Sequence, residues 1–173
     1  KFQIRNWNLA LKTCEFIAKK DKLTINHKLN PSSLVIPGRM EIISLNNKSS
    51  LIMDGAHNAQ KMSTFVDSFC ALYPNQKATI LLALKAGKEY EEVINNLKPI
   101  TESIIATAFS ASQDTPILCL DPEIIARYAQ SIGIDATVTT DLHEAYNQLI
   151  ASTVSIKLIT GSFYLNGQIR AFI

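Results

Sequence analysis

The sequence predicts an α/β fold: a Rossmann-like, mixed but mostly parallel sheet of about six strands, flanked by helices and carrying an antiparallel hairpin at its N-terminal side. Three observations predict it. Beyond residue 36, short apolar runs alternate with amphipathic stretches of roughly 10–15 residues, the pattern of βαβ units. The first two strand candidates are separated only by Asn46-Asn47-Lys48, which reads as a hairpin turn. Residues 78–84, ATILLAL, are almost wholly apolar, as in a strand covered on both faces.

Taken in order, residues 5–20 place Leu9, Leu11, Phe16 and Ile17 among polar positions and read as a helix. Residues 21–36 have no stable period, and their Asn, Ser, Lys and Pro read as a linker. Residues 40–45 and 50–53 form the hairpin. Residues 59–73 carry Met62, Phe65, Val66 and Phe69 at helical spacing, and Pro74-Asn75 ends that helix. Residues 78–84 are a strand, 90–97 a helix stopped by Pro99, and 103–109 a strand. Asp121-Pro122-Glu123 opens a helix, with Asp121 as cap and Pro122 in the first turn. Residues 136–139 are a strand, 141–151 a helix capped by Asp141, 155–160 a strand, and 164–172 the last helix. No internal repeat or low-complexity tract interrupts this order.

Bulk properties exclude several classes of function. The 173 residues, 47% hydrophobic and 18% charged, suit one good core, or one domain and a fragment of another. A net charge of +2 gives no support to a nucleic-acid partner. No apolar run approaches the roughly 18 residues of a membrane span, and KFQIRNWN lacks the apolar block of a signal peptide. Cys14, Cys70 and Cys119 are odd in number and far apart, which suits reduced thiols and a cytoplasmic protein. The chain opens inside an amphipathic stretch with no initiator Met, and is expected to be a piece of a longer protein.

In open parallel sheets ligands sit at the carboxyl ends of strands. That directs attention to Asp54–Asn58 and Gly161–Ser162. In LIMDGAHNAQ, a buried strand runs into Asp54, a turn at Gly55, then His57 and Asn58 at a helix start. Such a start presents free N–H groups and partial positive charge to an anion. Asp54 can accept from a ribose, an ammonium or a metal-bound water, and His57 can donate to a phosphate or carboxylate. The plain alternative is a capped turn. Arg39, after Pro37-Gly38, is either an exposed strand end or a clamp for phosphate oxygens. Thr160-Gly161-Ser162 is either a helix cap or a turn that holds a carboxylate or phosphate. GxxxxGK[ST], GxGxxG, CxxC and HExxH do not occur, and His27, His57 and His143 are too scattered to suggest a metal site.

Three stretches in order, PGRMEII (37–43), LIMDGAHNAQ (51–60) and ITGSFYLNGQIR (159–170), closely resemble the C-terminal, glutamate-ligase domain of the folylpolyglutamate synthase/dihydrofolate synthase family, within the Mur ligase superfamily. The family pattern is roughly PGR-[FM]-E, a strand ending DGAHNP, and TGSLYL-x-G-x-x-R. The opening QIRNWNLALKTC resembles the helix that closes the family's ATPase domain, with Asn6 at the position that approaches adenine. The resemblance implies a boundary: residues 1–35 as the last helix of a preceding ATPase domain plus linker, and 36–173 as the ligase C-terminal domain.

It also implies a function. A folate or dihydropteroate carboxylate takes the γ-phosphate of Mg2+-bound ATP, and L-glutamate displaces phosphate from the acyl phosphate. ATP and Mg2+ are held mainly by the preceding domain. On this resemblance Arg39 and His57 are catalytic. Asn6, Arg39, Asp54 and His57 face nucleotide, and His57 and Ser162 face glutamate. Departures are Ala59 where the family has Pro, ALKAGKEYEEV where it has a Gly and a Lys-Asp pair, and FSASQDTP without the usual Arg-rich character. They bear on substrate preference. Two further readings stay open: a stand-alone nucleotide or amino-acid binding module, and a Mur ligase with a muramyl-peptide acceptor.

Overall fold

The structure, a computed structural model, describes residues 2–25, 35–45, 49–111 and 117–173. The expected turn at Asn46–Lys48, most of the expected linker and part of FSASQDTP lie outside the described residues. The chain divides into two compact units, Lys1–Val35 and Ile36–Ile173. In the first, helix α1 runs Phe2–Asp21. Its Leu9, Phe16 and Ile17 are 69%, 70% and 45% exposed, so α1 presents an apolar side to solvent.

The second unit is built on one sheet. Its strands are β1 (Glu41–Ser44), β2 (Ser50–Met53), β3 (Ala78–Leu82), β4 (Thr101–Ala106), β5 (Asp135–Val138) and β6 (Ile156–Thr160), in the order β1-β2-β6-β3-β4-β5. β1 and β2 are antiparallel, with Glu41 opposite Met53; every other pairing is parallel. This is the six-stranded mixed sheet with a hairpin that the sequence predicts. The helices are α2 (Ala59–Leu72), α3 (Tyr90–Leu97), α4 (Pro122–Ser131), α5 (Leu142–Ala151) and α6 (Phe163–Ile169).

Side chains alternate across a strand, and here the alternation divides two cores. Ile52, Ile80, Leu82, Ile104 and Leu158 meet α2, α3 and α4 through Met62, Phe69, Ile94, Leu97 and Ile125. Leu51, Met53, Leu81, Ile105 and Ile159 meet α5 and α6 through Leu149, Leu165 and Ile169. β3 and β6 are buried along their whole length, as strands covered on both faces must be.

Caps follow the expected chemistry. Asp121 and Asp141 accept the N–H groups of Glu123 and Glu144 at 3.0 and 2.8 Å. Several bounds differ from expectation. β3 stops at Leu82, where Ala83 and Leu84 stay buried but Leu84 O now accepts from Leu120 N at 2.7 Å, outside the ladder. β4 starts at Thr101 and stops at Ala106; Phe109 is buried by stacking on Tyr164, not by sheet pairing. The last helix begins at Phe163, with a 3-10 turn over Arg170–Phe172. Among the described residues, no helix is long and apolar enough to cross a membrane.

Candidate functional site

β2 and β6 run parallel as neighbours, so the segments leaving their carboxyl ends meet. Pairing continues one residue past β2, where Asp54 N donates to Ile159 O at 3.0 Å. The chain then turns. The Asp54 side chain is 8% exposed and points back into the corner. Its Oδ2 accepts from Met40 N at 2.7 Å and its Oδ1 from Ala56 N at 2.8 Å. Gly55 N adds a bond to Gly38 O at 2.8 Å. One carboxylate thus joins the Pro37–Met40 turn to the start of the next corner. It also stabilises Met40 in the left-handed region, at φ 47°, where a side chain costs about 1–2 kcal/mol. Burial pushes the Asp54 carboxyl above its usual range, against the two N–H donors and the nearby Arg39 and His57.

Two glycines make the corner possible. A Cβ on Gly55 would lie 2.4 Å from the Phe163 ring. Gly161, at φ 95°, lets its backbone lie against β3, where a Cβ would meet Ala83 O at 2.4 Å. Gly161 N in turn donates to Ala56 O at 3.0 Å, closing the corner against β6.

His57 is half-buried, and its partners dictate its tautomer. Nδ1 lies 2.8 Å from Gly55 O, which can only accept, so Nδ1 carries the proton. Nε2 lies 3.2 Å from Lys61 Nζ, an ammonium that can only donate. Burial lowers the imidazole pKa first; Gly55 O opposes, and the charges of Lys61, Lys88 and Arg39 lower it further. The ring is therefore neutral near pH 7. The sequence reading has His57 donating to a phosphate or carboxylate, whereas its one N–H here goes to Gly55. Asn58 caps α2, accepting from Lys61 N at 2.9 Å.

Arg39 reaches the same place from the other side. Its guanidinium lies 4.5 Å from the Phe163 ring centroid, and that ring meets the His57 imidazole edge-on at 6.4 Å. Cation–π geometry of this kind contributes about 0.5–1 kcal/mol at a partly exposed site and fixes direction. The turn below Arg39 is held by Glu41, whose carboxylate accepts from Gly38 N at 2.7 Å and pairs with both terminal nitrogens of Arg170. That pairing draws the Glu41 carboxyl below its usual range. Ser162 follows β6, 5% exposed, and caps α6 by accepting from Tyr164 N at 3.0 Å. Its hydroxyl proton is left to donate elsewhere.

Of the predicted residues, Arg39, Asp54, His57 and Ser162 gather at the carboxyl ends of β2 and β6, while Asn6 lies on α1, in the first unit. Sequence reasoning did not single out Lys61, Phe163 or the Glu41–Arg170 pair. The His57–Lys61 spacing of four on a helix start was the available signal for the first. Glu41 and Arg170 are 129 positions apart and left none.

Comparison with known proteins identifies the family. The family model "Dihydrofolate synthetase, C-terminal domain" matches residues 39–172. The chain belongs to that family. A Saccharomyces cerevisiae dihydrofolate synthetase is 24% identical over 98% of the chain, and the chain spans only 43% of its length. Among solved structures, a folylpolyglutamate synthase from Thermotoga maritima aligns with 94% of the chain and 36% of its own, at 26% identity and TM-score 0.70. A bifunctional folylpolyglutamate synthase/dihydrofolate synthase from Yersinia pestis, complexed with AMPPNP and Mn, shares the fold at TM-score 0.66 and 17% identity, over 80% of this chain and 31% of that one.

Proposed function

We propose that the chain is the C-terminal part of an ATP-dependent ligase that joins L-glutamate to a folate or dihydropteroate carboxyl through an acyl phosphate, and that by itself it is inactive. The observation that carries this reading is the convergence of Arg39 and His57 on the Phe163 ring, with Lys61 beside His57, at the carboxyl ends of β2 and β6 in a chain of this family. Phosphoryl transfer depends mostly on positioning and charge stabilisation. Arg39 is already directed by Phe163 and by the turn that Asp54 and Glu41 hold. In this reading Arg39 meets phosphate oxygens of ATP, Asp54 keeps the corner's shape beside the nucleotide, and Ser162 donates its hydroxyl proton toward the glutamate carboxylate.

The donor set fits a polyphosphate better than a divalent cation. Among the described residues, no group of three or more His, Cys, Asp or Glu could hold a metal ion. Asp54 already takes two backbone N–H groups. Mg2+ would then be held chiefly by an ATPase domain preceding residue 36. Residues 1–35 suit the closing helix of that domain and a linker, with Asn6 toward adenine, because α1 presents Leu9 and Phe16 unburied. A cytoplasmic enzyme fits the free thiols of Cys14, Cys70 and Cys119.

The test is an assay of ADP release with Mg-ATP, dihydropteroate or folate, and L-glutamate. The 173-residue chain is expected to give none. The same chain extended through its upstream coding sequence is expected to release ADP only when glutamate and the pteridine acid are both present. Turnover by the chain alone would overturn the inactivity. An extended chain that uses a muramyl peptide and ignores folates would overturn the acceptor.

A further inference from the structure

Asn166 is a buried polar side chain that the site as described leaves unused. It lies on α6, 3% exposed, and among the described residues neither its Nδ2 nor its Oδ1 has a hydrogen-bond partner. An amide buried in this way costs stability, and an apolar side chain of similar volume would cost less. Its place is defined from two sides. Nδ2 lies 3.3 Å from the position that a Cβ on Gly38 would take, and the Phe163 ring lies 3.2 Å from the same point. The amide therefore sits against the Pro37–Met40 turn, beside the ring. Ser162 caps the same helix one turn earlier, and Asn166 N donates to Ser162 O at 3.2 Å. Positions four apart at a helix start lie on one side. The Ser162 hydroxyl accepts from Tyr164 N and still has a proton to give.

The two free ends of the amide select among ligands. Nδ2 donates and Oδ1 accepts. Phosphate oxygens and carboxylates only accept, so alone they leave Oδ1 unpaired. An α-amino acid carries both a carboxylate and an ammonium. We propose that Asn166 is a specificity residue for an amino-acid substrate: Nδ2 donates to the carboxylate that Ser162 meets, Oδ1 accepts from the ammonium, and Phe163 is the cover that admits the ligand. The Phe163 ring is 40% exposed, and it closes over the corner only because Gly55 has no Cβ, which would lie 2.4 Å from it. Swinging outward, the ring uncovers Gly38, Gly55 and the amide together. The proposal deepens the ligase reading, and rests on it only for which amino acid arrives.

The test uses the 173-residue chain and three probes. They are L-glutamate, glutarate, which keeps both carboxylates but lacks the ammonium, and sodium tripolyphosphate. Binding is followed by NMR through the side-chain amide signals of Asn166. L-glutamate is expected to shift them, and tripolyphosphate to leave them in place. Glutarate should bind about tenfold more weakly than L-glutamate, as loss of one charge-assisted hydrogen bond does. Asn166→Leu should weaken L-glutamate at least about tenfold and remove the preference over glutarate. Its urea midpoint should equal or exceed the parent's, because the unpaired amide is gone; a merely structural role would lower it. Phe163→Ala should speed exchange of the Asn166 amide protons with water. Asn166 signals unmoved by L-glutamate, glutarate binding as tightly, or an Asn166→Leu chain that binds L-glutamate unchanged or loses stability would each overturn the proposal. Unchanged exchange in Phe163→Ala would overturn the cover. Contact of L-glutamate with Asn166 beside a failed ligase assay of the extended chain would sink the ligase reading alone. A working ligase whose KM for glutamate is unchanged in Asn166→Leu would sink this one alone.

Discussion

Asp54 and Asp141 occupy comparable places, each leaving the carboxyl end of a strand in one sheet, and they do different work. Asp141, after β5, is exposed and accepts one N–H, that of Glu144, to start α5. Asp54, after β2, is buried and accepts two, from Met40 in the turn before β1 and Ala56 on the corner after. The β5 corner need only start a helix. The β2 corner must also hold a turn from another strand, seat against β6 and present cations. A carboxylate that joins two loops has to lie between them, and is therefore out of water. The lesson is that burial of a polar group marks where several segments depend on it, whereas an exposed cap serves only its own helix.

The sharpest way to break this comparison is to disturb the approach of β6. Gly161→Ala puts a Cβ against Ala83 O at φ 95°, with backbone on the other side that cannot swing away. A loss of at least about 3 kcal/mol, or failure to fold, is expected. A chemical-denaturation midpoint near that of the parent would show the corner to be looser than described.

Next come the aspartates themselves. Asp54→Ala leaves one buried and one part-buried N–H group without an acceptor and should cost about 3 kcal/mol. Asp141→Ala removes a helix cap and should cost about 1 kcal/mol. Urea titration of both variants checks the ratio, and equal losses would erase the distinction.

The pH dependence sharpens it further. The folded His57 pKa lies below the ordinary 6.5. The unfolded chain therefore binds more protons between those two values, and stability falls as pH drops through that window. The folded Asp54 pKa lies above 3.8, so its contribution has the opposite sense: fully favourable below 3.8, and lost as pH rises through the folded value. His57→Gln should flatten the first slope and leave the second. An unchanged profile between pH 5 and 7 would show that the imidazole is not held neutral.

The smallest effect belongs to a residue with no comparable duty. Thr107, just past β4, has a buried Oγ1 with no hydrogen-bond partner among the described residues. Thr107→Val should be neutral, or gain up to about 1 kcal/mol in thermal unfolding. A clear loss would reveal a partner for that hydroxyl.

Much of the fold was legible because its signals are local. Tyr90–Leu97 has a helical period and a proline behind it, and its predicted bounds are the observed ones. Asp121-Pro122 and Asp141 are caps by chemistry alone, and both cap. Residues 103–109 were placed too late because Phe109 is as apolar as a strand residue, and only the ladder shows that pairing has ended. The sheet order was not legible, since nothing in β6 itself says that it lies between β2 and β3. At the site, residue types and motif order brought Arg39, Asp54, His57 and Ser162 forward. The direction of each hydrogen bond did not follow, because Asp54's partner Met40 and His57's partner Gly55 are backbone groups, and a backbone group has no letter in the sequence.

The position of β6 bears on the order in which the molecule can form. The last of these six strands in chain order is an inner strand, with Ile156 opposite Ser50 on one side and Ala78 on the other. Until it arrives, the hairpin has no sheet to join, and Asp54 and Ala56 have neither Ile159 nor Gly161 to meet. Contacts so distant along the chain form late and slowly. Arg39 and His57 are among the early residues of this unit to be synthesised, and they wait in a nascent chain with an open sheet edge. That edge is the length of sequence over which a chaperone has most to do.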